Sequence, residues 1–142
     1  GEVMGLARPV NLKNASIDVI RAYAPEAFLT RPVHDTTKGT VALMAPTEAS
    51  VLAAGNWARP AWMILPRYRP GVDARLEAMG NGAAFLQIAD NAMNYHILGS
   101  HGFAAVGRMV DHCRSFNFEY SRLDEAIAIF DRLAREAEGE AP

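Results

Sequence analysis

His34, Asp35 and Lys38 fall within five positions of one another in HDTTKGTVAL, residues 34–43. A turn there could converge an acid/base pair and a phosphate-binding ammonium near one point, with Thr36, Thr37 and the Gly39 amide as further donors. Gly39 would also permit the close backbone approach that phosphates exploit. The same residue types make an ordinary solvated hairpin tip, and composition by itself favours that plainer reading.

Two smaller groups could add charge. Lys13 and Asn14 stand at an expected strand-to-helix junction, where a helix N-terminus can hold an anion and a lysine can contribute a point charge; a plain cap beside an exposed lysine explains them equally. Arg67 and Arg69, on the proline-stiffened stretch PRYRPG, could clamp a phosphate or carboxylate, although loop arginines are commonly just solvated. His96, His101 and His112 do not share helical spacing with a second ligand, and Cys113 directly follows His112, so no metal site is expected. Neither G-x-S-x-G nor G-x-x-x-x-G-K-[ST] occurs anywhere in the chain.

The elements that must position these residues are legible in outline. Val3 to Leu12, interrupted by Gly5 and Pro9, fits a short hairpin arm or edge strand. Asn14 offers an N-cap, and Ile17, Ile20 and Ala24 recur at helical spacing before Pro25, which predicts a helix over 15–23. Phe28–Val33 and Thr40–Met44 are apolar stretches that can pair as a hairpin with the polar motif at its tip. Thr47 can cap a short helix that fails by Gly55. Ala61 to Leu65 reads as a fully buried strand, and Arg75 to Met79 as another strand. Residues 82–97 form an amphipathic helix stopped by Gly99. Phe103, Val106, Val110 and Cys113 mark a second helix, followed by a strand over FNFEY, 116–120. Ser121, with Asp124 three residues on, suggests a capping box for a last helix striped by Leu123, Ile127, Phe130 and Leu133. From Glu136 onward the tail, 136–142, is polar and expected to fray. The whole predicts one domain or domain fragment over 1–142, of mixed α/β (α+β) layers, with early short strands and a hairpin, then three helices and a late strand.

Composition narrows the classes. The chain has 142 residues, 50% hydrophobic and 21% charged, with a formal net charge of −2, which is ordinary for a folded domain. No basic stripe interleaved with aromatics suggests nucleic acid. The single Cys113 implies a reduced core thiol, and no apolar run approaches a membrane span, so a soluble, cytoplasmic protein without membrane insertion is expected. The absence of Met at position 1 gives the chain the look of a piece of a longer one.

Four blocks in order, NLKNASIDVIRAYAP, VHDTTKGTVALM, FLQIADNAMNYHILG and FNFEYSRLDEAIAIFDRL, resemble the carboxy-terminal half of the HPr kinase-related proteins, particularly the subgroup encoded beside exosortase and exopolysaccharide systems. The resemblance implies the carboxy-terminal part of a P-loop kinase core similar to phosphoenolpyruvate carboxykinase, which transfers phosphate from ATP with Mg2+ to a protein serine. In that family the Walker loop and metal-binding acids precede the matched region. The resemblance thus implies an upstream P-loop half in the same polypeptide, no catalysis and no tight ATP binding by this part alone, and a protein phosphoacceptor. A homo-oligomer is compatible with it.

Within the resemblance, Lys38-Gly39 looks like the Arg-Gly of the HPr kinase signature, with Asp35 or Thr36 near its acidic position. Together with the chemistry of the polar loop, it leads to the expectation that Lys38 stabilises transferred phosphate and that Asp35 or His34 assists the acceptor hydroxyl, while the residues themselves make Lys13, Asn14, Thr36, Thr37, Gly39 and Arg67 the candidate phosphate or substrate contacts. The signature's second glycine falls at Val41, and MGNGAAF lacks the arginine found before the corresponding helix in HPr kinases. Those departures motivate an alternative, a non-catalytic protein-binding module with the same fold in an exopolysaccharide or exosortase-type system.

Overall fold

The computed structural model describes residues 2–139. It is mixed α/β, with three small sheets and six α-helices among the described residues, and it divides into two compact units, Glu2–Ala58 and a second from Arg59 onward.

In the first unit, β1 (Val3–Met4) pairs antiparallel with β5 (Trp57–Ala58) as a two-stranded ribbon. The main sheet has the order β2-β4-β3, from β2 (Val10–Lys13), β4 (Gly39–Met44) and β3 (Val33–Thr36), all antiparallel. Leu12 lies across from Ala42, and Ile17 of α1 (Ala15–Tyr23) packs on that pair to form a buried cluster edged by Ile20, Leu29 and Met44. One sheet face is therefore covered by α1. Alternation turns Val33, Val41 and Leu43 to the other face, where Val33 and Leu43 are exposed. The expected hairpin is present: Leu29 bridges Met44 ahead of the β3–β4 ladder. Thr47 caps the short α2 (Glu48–Leu52), accepting from the Ser50 amide at 3.2 Å, and a 3-10 turn ends it at Gly55.

In the second unit, β6 (Trp62–Tyr68) runs parallel to the central strand β8 (Arg114–Tyr120), and β7 (Arg75–Ala78) pairs antiparallel on its other side. Met63 and Ser115 are register partners and share a face, against which Ala84 of α3 (Asn81–Asn91) and Val106 and Val110 of α5 (Ser100–His112) pack. The opposite face presents Phe118, 1% exposed, whose ring stacks on Tyr120 and meets Phe130 of α6 (Leu123–Gly139) edge-on. Cys113 is buried and donates to the Pro60 carbonyl, and burial pushes its thiol pKa up, as expected of an inert core thiol.

Several expectations are corrected. The stretch 61–65 begins an edge strand with only Met63 fully buried, and Pro66 is tolerated there because an edge strand need not donate on both sides. The single helix expected over 82–97 is broken into α3 and α4 (Tyr95–Leu98). The Asn91 side chain donates to the Gln87 carbonyl at 2.7 Å, competing with the helical ladder, and Ala92 turns to extended backbone. Gly102 lets α4 close on α5, since a β-carbon there would lie 2.9 Å from the Tyr95 carbonyl oxygen. Ser121 does not cap α6; its hydroxyl donates to the Val72 carbonyl at 2.7 Å. α6 itself continues to Gly139, through the start of the expected frayed tail, whose residues 140–142 lie outside the described residues.

Candidate functional site

Asn14 departs most clearly from its expected role. It holds a left-handed backbone (φ 49°) and makes no side-chain cap to α1. Ser16 secures that end instead, accepting from the Lys13 amide and donating to the Lys13 carbonyl, both at 2.7 Å. Asn14 reaches across to β4: its amide donates to the Thr40 carbonyl at 2.8 Å, and its Oδ1 accepts from the Thr40 amide at 3.0 Å. Two segments twenty-six residues apart are thereby held together by a reciprocal pair of bonds.

The polar motif is part strand and part turn. β3 includes His34, Asp35 and Thr36, leaving Thr37 and Lys38 as the two-residue turn before Gly39. Thr36 shapes that turn, with its hydroxyl donating to the Gly39 carbonyl at 2.6 Å and accepting from the Lys38 amide at 3.1 Å. Gly39 completes it at φ 81°, a conformation for which glycine has no steric penalty. Between Val33↔Val41 and Thr36↔Gly39 the register slips by one, so His34 and Asp35 together oppose Thr40. Such a bulge re-aims side chains. Asp35 absorbs it at φ 56°, and His34 is set with Nδ1 3.2 Å from Oγ1 of Thr40.

A cleft of about 280 Å³ opens between this hairpin and α1. His34, Thr40 and Asn14 line it from one side; Ile17, Asp18 and Arg21 of α1 line it from the other, with Pro32 at its edge. Asp18 and Arg21 form a loose ion pair at 3.7 Å, one helical turn apart. Of the residues expected to act together, the cleft unites His34 and Asn14. Lys38, Asp35, Thr36, Thr37, Gly39 and Lys13 are not among its lining residues; Lys38, Asp35 and Lys13 are exposed. Arg21 and Asp18 are not marked out by the sequence: their three-residue spacing on a short amphipathic helix is common on any solvated helix face.

Arg67 belongs to the second unit, exposed on β6 directly across from Glu119. Glu119, 15% exposed, binds Arg75 through Nη2 at 2.9 Å and meets Arg69 at 3.3 Å. The Arg75 hydrogen bond, with further attraction from Arg69, Arg75 and Arg67 against a burial penalty, holds the Glu119 carboxyl below the usual carboxylate range. Its negative charge gathers the arginines into a cross-strand row. Among the described residues, no group of three His, Cys, Asp or Glu side chains could hold a metal ion, and no helix is long and apolar enough to cross a membrane.

No protein-family model matches the chain, and neither a curated protein nor a solved structure is measurably similar to it.

Proposed function

We propose that this chain is the carboxy-terminal part of an HPr kinase-like phosphotransferase, one that moves the γ-phosphoryl group of ATP, with Mg2+, to a protein hydroxyl. It works with the P-loop half implied upstream and is inactive without it. The observation that carries the reading is the Asn14–Thr40 pair, which joins NLKN and VHDTTKGT, parts of two separate blocks of the resemblance, at one point. Phosphoryl transfer depends chiefly on positioning and charge stabilisation, so a rigid junction carrying a histidine is what such a half-site needs.

In this reading His34, oriented by Thr40, assists the acceptor hydroxyl. Lys38, on an exposed turn pinned by Thr36 and Gly39, meets the transferred phosphate supplied from the other half of the site. Asp35, Thr37 and Lys13 are solvent-facing polar groups of the same unit, and Arg67 is an exposed residue of the other. The test is an extended chain carrying the P-loop segment, in which Lys38→Ala should lower ATP turnover by roughly 10²-fold. Unchanged turnover removes Lys38 from the mechanism.

A second reading, a protein-binding module of the same fold in a polysaccharide-export setting, is favoured by exposed apolar side chains along the segment that runs from α3 through its following turn to α5: Leu86, Met93, Ile97, Leu98 and Phe103. Calorimetry with Mg-ATP on the extended chain separates the two, since the module should release no heat of nucleotide binding.

A further inference from the structure

We infer that the cleft between α1 and the β3–β4 hairpin is a binding site for a small phosphate monoester, with Arg21 and His34 as its charged and hydrogen-bonding jaws. The inference rests on the phosphotransfer reading for the kind of ligand, and on the cleft's own geometry for its place and for Arg21.

The donors outnumber the acceptors. Oδ1 of Asn14 is occupied by the Thr40 amide, which leaves its Nδ2 hydrogens to donate. His34 is held through Nδ1 by Thr40, which leaves Nε2 for a ligand. Arg21 supplies a guanidinium suited to two oxygens at once. The one carboxylate, Asp18, is 84% exposed and sits 3.7 Å from an Arg21 that is itself 50% exposed. A pair this open contributes little, so Asp18 yields to an entering dianion at small cost. Ile17 and Pro32 give the cleft an apolar wall, which would take the first carbon of an ester and has nothing to offer a free inorganic ion.

The cleft, about 280 Å³, has ample room for the phosphate and adjoining carbon of a phosphorylated side chain. In a transfer reaction to a protein hydroxyl, that is the product group, so the cleft would retain the phosphorylated acceptor after transfer.

The experiment uses the chain as it stands, with the His34 ring and Arg21 side-chain resonances followed by NMR during titration with O-phosphoserine, inorganic phosphate and ADP at fixed ionic strength. Phosphoserine should shift both sets of resonances saturably. Arg21→Gln should weaken that binding about tenfold, the loss of one charge-assisted contact, while Asp18→Asn should tighten it several-fold. Backbone spectra of both variants must remain those of the folded parent; Arg21→Lys, which keeps the charge, serves if Arg21→Gln perturbs the fold, and should weaken binding by less. Absence of a saturable shift, or equal binding by Arg21→Gln and the parent, overturns the site. Binding of ADP more than about tenfold tighter than phosphoserine overturns the restriction to small monoesters. Failure of the extended chain to turn over ATP leaves phosphoserine binding untouched and counts against the kinase reading alone.

Discussion

Gly39 has no β-carbon because Asn14 occupies the place one would take: a β-carbon built there overlaps Oδ1 of Asn14 and lies 3.0 Å from its Cγ and Nδ2. The glycine at φ 81° and the asparagine at φ 49° are two halves of one junction. The first makes room for the side chain, and the second uses that room to satisfy the Thr40 amide.

Gly39→Ala should therefore cost more than an ordinary loop substitution. The positive φ disfavours alanine and the overlap displaces Asn14, which together should lower stability by more than ~1 kcal/mol. Urea unfolding of parent and variant measures it. A midpoint unchanged within error would show that the junction relaxes freely.

Asn14 offers a matched pair of substitutions. Asn14→Gly keeps the left-handed backbone and loses the side-chain acceptor; Asn14→Ala loses the acceptor and adds strain. Stability should fall in the order parent, Asn14→Gly, Asn14→Ala, with the first step about 1 kcal/mol for the lost hydrogen bond. Equal stability of the two variants would remove the backbone contribution.

Ser115 is buried in the central strand, and its hydroxyl has no hydrogen-bond partner among the described residues. Ser115→Ala removes a desolvated polar group and leaves the backbone ladder in place, so it should raise stability by roughly 1 kcal/mol. A thermal melt that falls instead would show that the hydroxyl is engaged.

Glu119 makes a pH-dependent contribution whose sign is fixed. Its carboxyl is held below its unfolded value by the Arg75 hydrogen bond. The stabilisation is thus fully present above the unfolded pKa, about 4.3, and is lost as pH falls through the lower folded value. Glu119→Gln should melt lower than the parent at neutral pH, and the gap should close on acidification below about pH 4. A gap that persists at low pH would assign the effect to packing.

How much of this was legible in the chain depends on how local each signal is. Helix 15–23, the hairpin and the Thr47 cap were open to sequence reading because periodicity, turn chemistry and capping act within a few residues. The Asn14–Thr40 pair was not, because an asparagine before a helix signals a cap and nothing local announces a partner on a distant strand. The bulge at His34 and Asp35 was hidden for a related reason: alternation puts adjacent residues on opposite faces, and only the pairing register shows both of them across from Thr40. Of the site, the sequence indicated His34 and Asn14 but not Arg21 and Asp18, whose place on the cleft follows from which face of α1 the Leu12–Ala42 pair buries.

Whether His34 takes part in phosphoryl transfer is tested by ATP turnover of the extended chain carrying His34→Gln. The glutamine keeps a polar side chain and removes the ring that could move a proton. Turnover should fall roughly 10²-fold or more, the usual scale of general acid–base assistance, with Mg-ATP binding unchanged. Turnover within about twofold of the parent would contradict this and return His34 to the role of a structural residue of the hairpin.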